Sequence, residues 1–180
     1  MNIKIKEHKT EGITLVALSI TIIVLLILAG IAVYSGKETI QKAKLEELKT
    51  NMLLIKAKAR ESVEEANFKL GLNFDSTTEE GASKLSKVKQ EIYEEKAGLK
   101  KASELQNVSI PIEVDDSIYY VTEDTMKKWG LDKIQLDNGE VYLIKFNEIK
   151  TDENEVGVEI YNNIGFDNRY SLTEIEQIQE

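Results

Sequence analysis

The residue types that could do chemistry here are few, and their spacing narrows them further. The chain has no cysteine, which removes disulfides, thiolate nucleophiles and cysteine-ligated metals. A single histidine, His8, lies in a lysine-containing N-terminal stretch. Adjacent carboxylates occur at Glu64-Glu65, Glu94-Glu95 and Asp115-Asp116. Paired carboxylates can share acid–base work. In a chain of 32 acidic and 23 basic residues they read as solvated faces, because unpaired Asp and Glu are rarely buried. Hard oxygen ligands for calcium could come from Asp115-Asp116-Ser117 or Asp167-Asn168, but neither has an EF-hand spacing, and both read as polar turns. No serine stands in a Gly-x-Ser-x-Gly turn and no glycine loop cradles a phosphate. The expectation is a protein that is not an enzyme and holds no cofactor or metal. The acidic balance also argues against nucleic-acid binding, which requires clustered cations.

The elements around these residues are more informative. Residues 1–12 carry Lys4, Lys6 and Lys9 against Glu7 and Glu11, and residues 13–36 carry no charge. With a net charge of -9, the remainder is therefore more acidic than the whole. Ile13–Val33 reads ITLVALSITIIVLLILAGIAV, with only Thr14, Ser19 and Thr21 polar. As a helix it would extend about 32 Å, the thickness of a bilayer core. The expectation is a single span. The basic leader favours an N-terminus in the cytoplasm and a C-terminal part outside. A cleaved secretory signal is a competing reading, as is a plain uncleaved anchor, but the apolar core exceeds that of an ordinary signal peptide. Ala17 and Thr21 form a small-x-x-x-small pair, and Ala29, Gly30 and Ala32 a second small patch. Such positions allow close helix packing in lipid.

The stretch Lys9-Thr10-Glu11-Gly12-Ile13-Thr14-Leu15-Val16-Ala17-Leu18 resembles a prepilin signal: a short basic leader ending in Gly, then an apolar residue, Thr and Leu. The resemblance is to type IV pilins and type II secretion pseudopilins. It covers residues 9–34 well and the rest in outline. It implies cleavage between Gly12 and Ile13 by a membrane prepilin peptidase, and retention of the helix as the piece that packs into a pilus or pseudopilus. His8 would then leave with the leader. The partners implied are the bacterial cytoplasmic membrane, other pilin or pseudopilin subunits and the peptidase. Two positions depart from the family pattern. Ile13 replaces the usual Phe or Met, and Ala17 stands where the family places a Glu that neutralises a neighbouring subunit's terminal amine. Loss of that Glu removes an expensive intramembrane charge. It bears on methylation of the new N-terminus and on ordinary major-subunit assembly, and points to a minor or tip subunit. The alternative is an unprocessed, single-pass anchored interaction domain outside the cytoplasm.

The pattern after the span predicts an α+β fold. Ser35 and Gly36 mark a loosening, and helical periodicity resumes over 37–70 with Leu45, Leu48, Met52, Ile55, Ala59, Ser62 and Ala66 on one stripe. The resemblance implies that this amphipathic half packs on a small antiparallel sheet; a coiled-coil stalk is the other reading. Gly71 suits a helix C-terminus. Residues 71–78 read as a loop, and Ser76/Glu79 and Thr77/Glu80 as capping boxes. A second helical region is expected over 79–106, with Ala82, Leu85, Val88, Ile92, Leu99 and Ala102 inward and Gly98 a possible break. Strands are expected at 108–114 (an edge, because of Pro111), 118–121, 134–136, 141–146 and 156–161. Thr122 would cap a helix over 123–129, closed by Gly130. Asn138-Gly139 would close a hairpin through a type I′ turn, residues 151–155 would turn, and Ser171/Glu174 would cap a last short helix. Tyr119, Tyr120, Trp129, Tyr142 and Phe146 are expected in the core. The resulting segments are a leader (1–12), a membrane and assembly helix (13–34), its amphipathic continuation (35–70), a helical insert (71–107) and a sheet region (108–180).

Overall fold

The computed structural model describes residues 11–71, 74–147 and 157–178, with α1 side chains described over 18–27 and 39–70. The chain divides into two compact units, Met1–Lys44 and Leu45–Glu180. The elements are α1 (Glu11–Leu70), α2 (Glu79–Lys89), a π-helical turn (Gln90–Lys96), β1 (Lys100–Lys101), a 3-10 turn (Ala102–Glu104), β2 (Ile118–Tyr120), α3 (Glu123–Lys128), β3 (Tyr142–Phe146), β4 (Val158–Phe166), β5 (Arg169–Ser171) and α4 (Leu172–Glu176). The fold is α+β, with one five-stranded antiparallel sheet in the order β1-β2-β3-β4-β5.

A long N-terminal helix is present in α1, and its backbone stays helical through Ser35 and Gly36. Its expected membrane-spanning half is not found as such: among the described residues no helix is long and apolar enough to cross a membrane. The described apolar run Leu18–Ile27 amounts to about 15 Å of helix, half a bilayer core. The side chains of 13–17 and 28–34, which would complete the span, lie outside the described residues.

In the second unit, every residue of the expected stripe from Leu45 to Ala66 is buried, and Val63 and Leu70 extend it. Its apolar members share one core with Tyr119, Tyr142, Ile144, Phe146, Val158 and Ile160. These are alternate residues of β2, β3 and β4, so this sheet face is the one that the stripe covers. That arrangement replaces the coiled-coil reading. The opposite face carries Ile118 and Leu143, which pack with Ala102 and, more openly, with Ile110, Ile112 and Tyr161. The helix ends as the sequence indicates. Gly71 takes φ +83 and donates its N–H to the Asn67 carbonyl at 3.0 Å, while Lys84 Nζ donates to the Leu70 carbonyl at 2.9 Å.

Several expected elements differ. The start of α2 is capped by Thr78, which accepts from Gly81 N at 3.0 Å, rather than by Ser76 or Thr77. Gly81 explains the choice: a Cβ there would lie 1.8 Å from the Asp75 carbonyl oxygen, so only glycine admits this close crossing. Gly81, not Ala82, is the buried residue. The helical insert stops at Ala97, where Gly98 at φ +77 breaks it. Lys100–Lys101 then pairs with β2 as the sheet's first strand. That takes the edge expected for 108–114, which forms no strand; Ile110 and Ile112 cover the second face without ladder bonds.

Residues 134–136 also form no strand, so the expected Asn-Gly hairpin is absent. Glu140 N donates to the Asp137 carbonyl at 2.9 Å, with positive φ at Gly139 but not at Asn138. A type I′ turn needs positive φ at both, so this is a turn of the type II kind, which does not match the strand twist. The two-residue hairpin occurs instead at Asp167-Asn168, with φ of 50° and 59°, joining β4 to β5. β4 is longer than expected and β3 starts at Tyr142. The turn expected at 151–155 lies outside the described residues. Thr122 and Ser171 cap α3 and α4 as expected. Tyr119, Tyr142 and Phe146 are core residues, whereas Tyr120 and Trp129, the C-cap of α3, are half-buried and pack at the edges of the two clusters.

Candidate functional site

The sequence assigns function to the N-terminal unit. Gly12 and Ile13 lie within the helical backbone of α1, which starts at Glu11, close to the expected start at Ile13. The side chains of Ile13 and Ala17, and the packing around Gly30, lie outside the described residues. Thr21 is described: it is exposed, and its Oγ1 donates to the Leu18 carbonyl at 3.0 Å. A mid-helix Thr that bonds back to its own helix satisfies its hydroxyl without water.

Around Thr21 the exposed residues are almost all large and apolar: Leu18, Ile20, Ile22, Ile23, Val24, Leu25, Leu26 and Ile27. At 3.6 residues per turn these positions point in every direction. A helix apolar on all sides belongs inside a core or a bilayer. The described side chains here are exposed, with Leu26 at 67% of its full exposure.

The carboxylate pairs are not brought together into a catalytic arrangement. Glu65 pairs with Lys96, and Glu91 with Lys69, so both join the insert to α1. Asp115 Oδ1 accepts from Ser117 N at 2.7 Å and from Ser117 Oγ at 2.5 Å. Those hydrogen bonds, from the hydroxyl first and the backbone second, hold its carboxyl below the usual range. This is a local turn, and Asp167-Asn168 is the hairpin loop described above. Among the described residues no group of three or more His, Asp or Glu side chains could hold a metal ion.

One feature of the globular unit had no clear sequence signal. Asn162, 1% exposed on β4, donates to Glu140 Oε1 at 2.6 Å and accepts from Ile164 N at 3.0 Å and Gly165 N at 2.8 Å. Asn163 Oδ1 accepts from Val141 N at 2.7 Å, and its Nδ2 donates to the Gly139 carbonyl at 2.9 Å. The pair thus pins the 137–141 turn to β4. Asparagine is depleted in strands, and an Asn-Asn pair inside one is the only hint the sequence gives.

The fold and these surfaces define an α+β chain in which the described residues Leu18–Ile27 are exposed and the second unit packs Leu45–Leu70 of α1 on an antiparallel sheet. No family profile matches the chain, nor does any curated protein or solved structure.

Proposed function

We propose that this protein is a membrane-anchored, pilin-like structural subunit, processed after Gly12 and assembled through its N-terminal helix into a pilus or secretion pseudopilus. The observation that carries the reading is the uncovered apolar surface from Leu18 to Ile27. Burying one such side chain is worth about 1.5–3 kcal/mol, so eight of them left in water would be a heavy cost. Lipid, or the same helix of neighbouring subunits, would remove it. The uncharged run Ile13–Val33 after Gly12 supports the span and the processing point. The packing of Leu45–Leu70 on the sheet supports a pilin-like arrangement of helix and sheet.

Ala17, in place of the family's Glu, favours a minor or tip position over a major subunit. The role is structural rather than catalytic, and the partners are the bacterial cytoplasmic membrane, sister subunits and a prepilin peptidase. The C-terminal unit would lie outside the cytoplasm.

The absence of cysteine makes the test direct. A single cysteine at Ile23 should give disulfide-linked products in native membranes on mild oxidation, and the protein should occur in sheared surface fractions. One placed at exposed Glu79 should not cross-link. Monomer alone, with the protein confined to unsheared membranes, would favour the unprocessed anchored domain.

A further inference from the structure

Beyond the anchor, the second unit holds a cleft with a mixed aromatic, apolar and acidic lining. It is a hollow of about 350 Å3, lined in part by Pro111, Ile112, Glu159, Tyr161, Tyr170 and Glu174. Pro111 and Ile112 come from the irregular segment over the sheet's second face, Glu159 and Tyr161 from β4, Tyr170 from β5 and Glu174 from α4. Three separated stretches of chain thus converge, and hydrogen bonds hold both carboxylates in place. Tyr161 donates its hydroxyl to Glu159 Oε2 at 2.5 Å. Glu174 Oε2 accepts from Tyr170 N at 3.2 Å, Ser171 N at 3.1 Å and Ser171 Oγ at 3.0 Å.

These donors are neutral, so they orient the two carboxylates without cancelling their charge. The backbone N–H groups of Ser171 and Tyr170 keep Glu174 ionised by holding its carboxyl below the usual range. None of the described lining residues is a cation. Arg169 donates to the Glu174 carbonyl at 3.4 Å and makes the smallest contribution to lowering its carboxyl, and Lys145 stands opposite Glu159 in the ladder; neither cation lines the cleft.

Two phenol rings, an apolar Pro-Ile wall and two fixed negative charges are the complement of an organic cation. Aromatic faces attract ammonium and guanidinium groups, and carboxylates supply charge-assisted hydrogen bonds. The volume falls within the usual range for small-ligand clefts. Another polar hollow, near Trp129, has about a third of this volume and is lined by Lys58, Lys96 and Lys128, each already ion-paired. We propose that the Tyr161–Tyr170 cleft binds a primary ammonium or guanidinium group, as carried by a lysine or arginine side chain. This stands apart from the question of filament assembly, since every lining residue belongs to the second unit.

The test is calorimetric titration of the full chain in detergent micelles with capped Gly-Lys-Gly, capped Gly-Arg-Gly, free methylammonium, and capped Gly-Glu-Gly as control. Binding of the basic probes and not of the acidic one is expected. Glu159→Gln and Tyr170→Ala should each weaken it roughly fivefold or more, while Asp115→Asn, a charge change outside the cleft, should leave it unchanged. Methylammonium binding as well as the peptides would mark a small free cation as sufficient; peptide binding alone would mark a chain-borne one. Both support the proposal. Should Tyr170→Ala fail to fold, Glu159→Gln alone decides. Equal binding of the acidic peptide, no binding of any basic probe, or unchanged affinity in Glu159→Gln would overturn the assignment.

Discussion

Tyr93 and Phe146 stack with ring centroids 4.2 Å apart and planes 10° from parallel. Tyr119 meets both rings edge-on, with centroids 5.6 Å away in each case. Tyr93 belongs to the π-helical turn, Tyr119 to β2 and Phe146 to β3, so this trio ties the helical insert to the sheet. Aromatic contacts of this kind add about 0.5–1.5 kcal/mol per pair beyond the area they bury. Tyr93→Ala should therefore lower unfolding free energy by about 3–5 kcal/mol, the usual cost of deleting a buried ring. Urea denaturation followed by circular dichroism reads it.

The same trio predicts a pH dependence. Burial, with a smaller contribution from Tyr119, pushes the Tyr93 phenol far above its ordinary value of 10.0. Burial does the same for Tyr142, aided by Glu140. The folded state thus favours the protonated phenols. Their contribution to stability is complete below about pH 10, where the unfolded chain is also protonated. It is lost as pH climbs from there through the raised folded-state values. Unfolding free energies measured across this range should fall, and Tyr93→Phe should make the fall less steep.

Ser171 and Glu174 form a reciprocal cap on α4: Ser171 Oγ accepts from Glu174 N at 3.2 Å while Glu174 Oε2 accepts from Ser171 N. Ser171→Ala should cost about 1 kcal/mol in thermal or chemical unfolding. The Glu174 carboxyl is depressed, chiefly by that backbone N–H, so its contribution is present above its ordinary value of 4.5 and fades as pH falls through the lower folded value. Glu174→Gln should flatten the acid side of the stability profile.

Two glycines with positive φ should respond differently to alanine. Gly139, at φ +80, has open space around a would-be Cβ, so Gly139→Ala should cost only the backbone term of about 1–2 kcal/mol. At Gly165, φ +65, the same atom would lie 2.2 Å from the Arg169 carbonyl oxygen and 2.8 Å from Tyr170 Cδ1. Gly165→Ala should add an overpacking cost of about 1–3 kcal/mol and disturb the β4–β5 hairpin. Melting temperatures of the two variants should separate accordingly.

What the sequence disclosed depended on how local the governing physics was. The stripe from Leu45 to Ala66 was readable because one helix face set its period, and the caps at Thr122 and Ser171 because their partners lie three residues on. Gly71 was readable as a helix end for the same reason. The failures came from distant competition. Residues 108–114 have strand-like alternation, but Lys100–Lys101 holds the edge beside β2, a pairing no local pattern announces. Asn138-Gly139 carries the strongest short hairpin signal, yet Asn162 and Asn163 secure that turn from another strand. The hairpin fell instead to Asp167-Asn168, two residues that tolerate positive φ without a glycine. The exposed run Leu18–Ile27 was legible as apolar, whereas the cleft around Tyr161 and Tyr170 was not, because three separated stretches build it.

The central claim, that the N-terminal helix is the assembly element of a processed pilin-like subunit, is tested most directly by the mature N-terminus. Mass spectrometry of the protein extracted from membranes of its native host should find a chain beginning at Ile13, and Gly12→Val should leave the leader attached. An intact Met1–Gly12 segment in a host with an active prepilin peptidase would contradict the account.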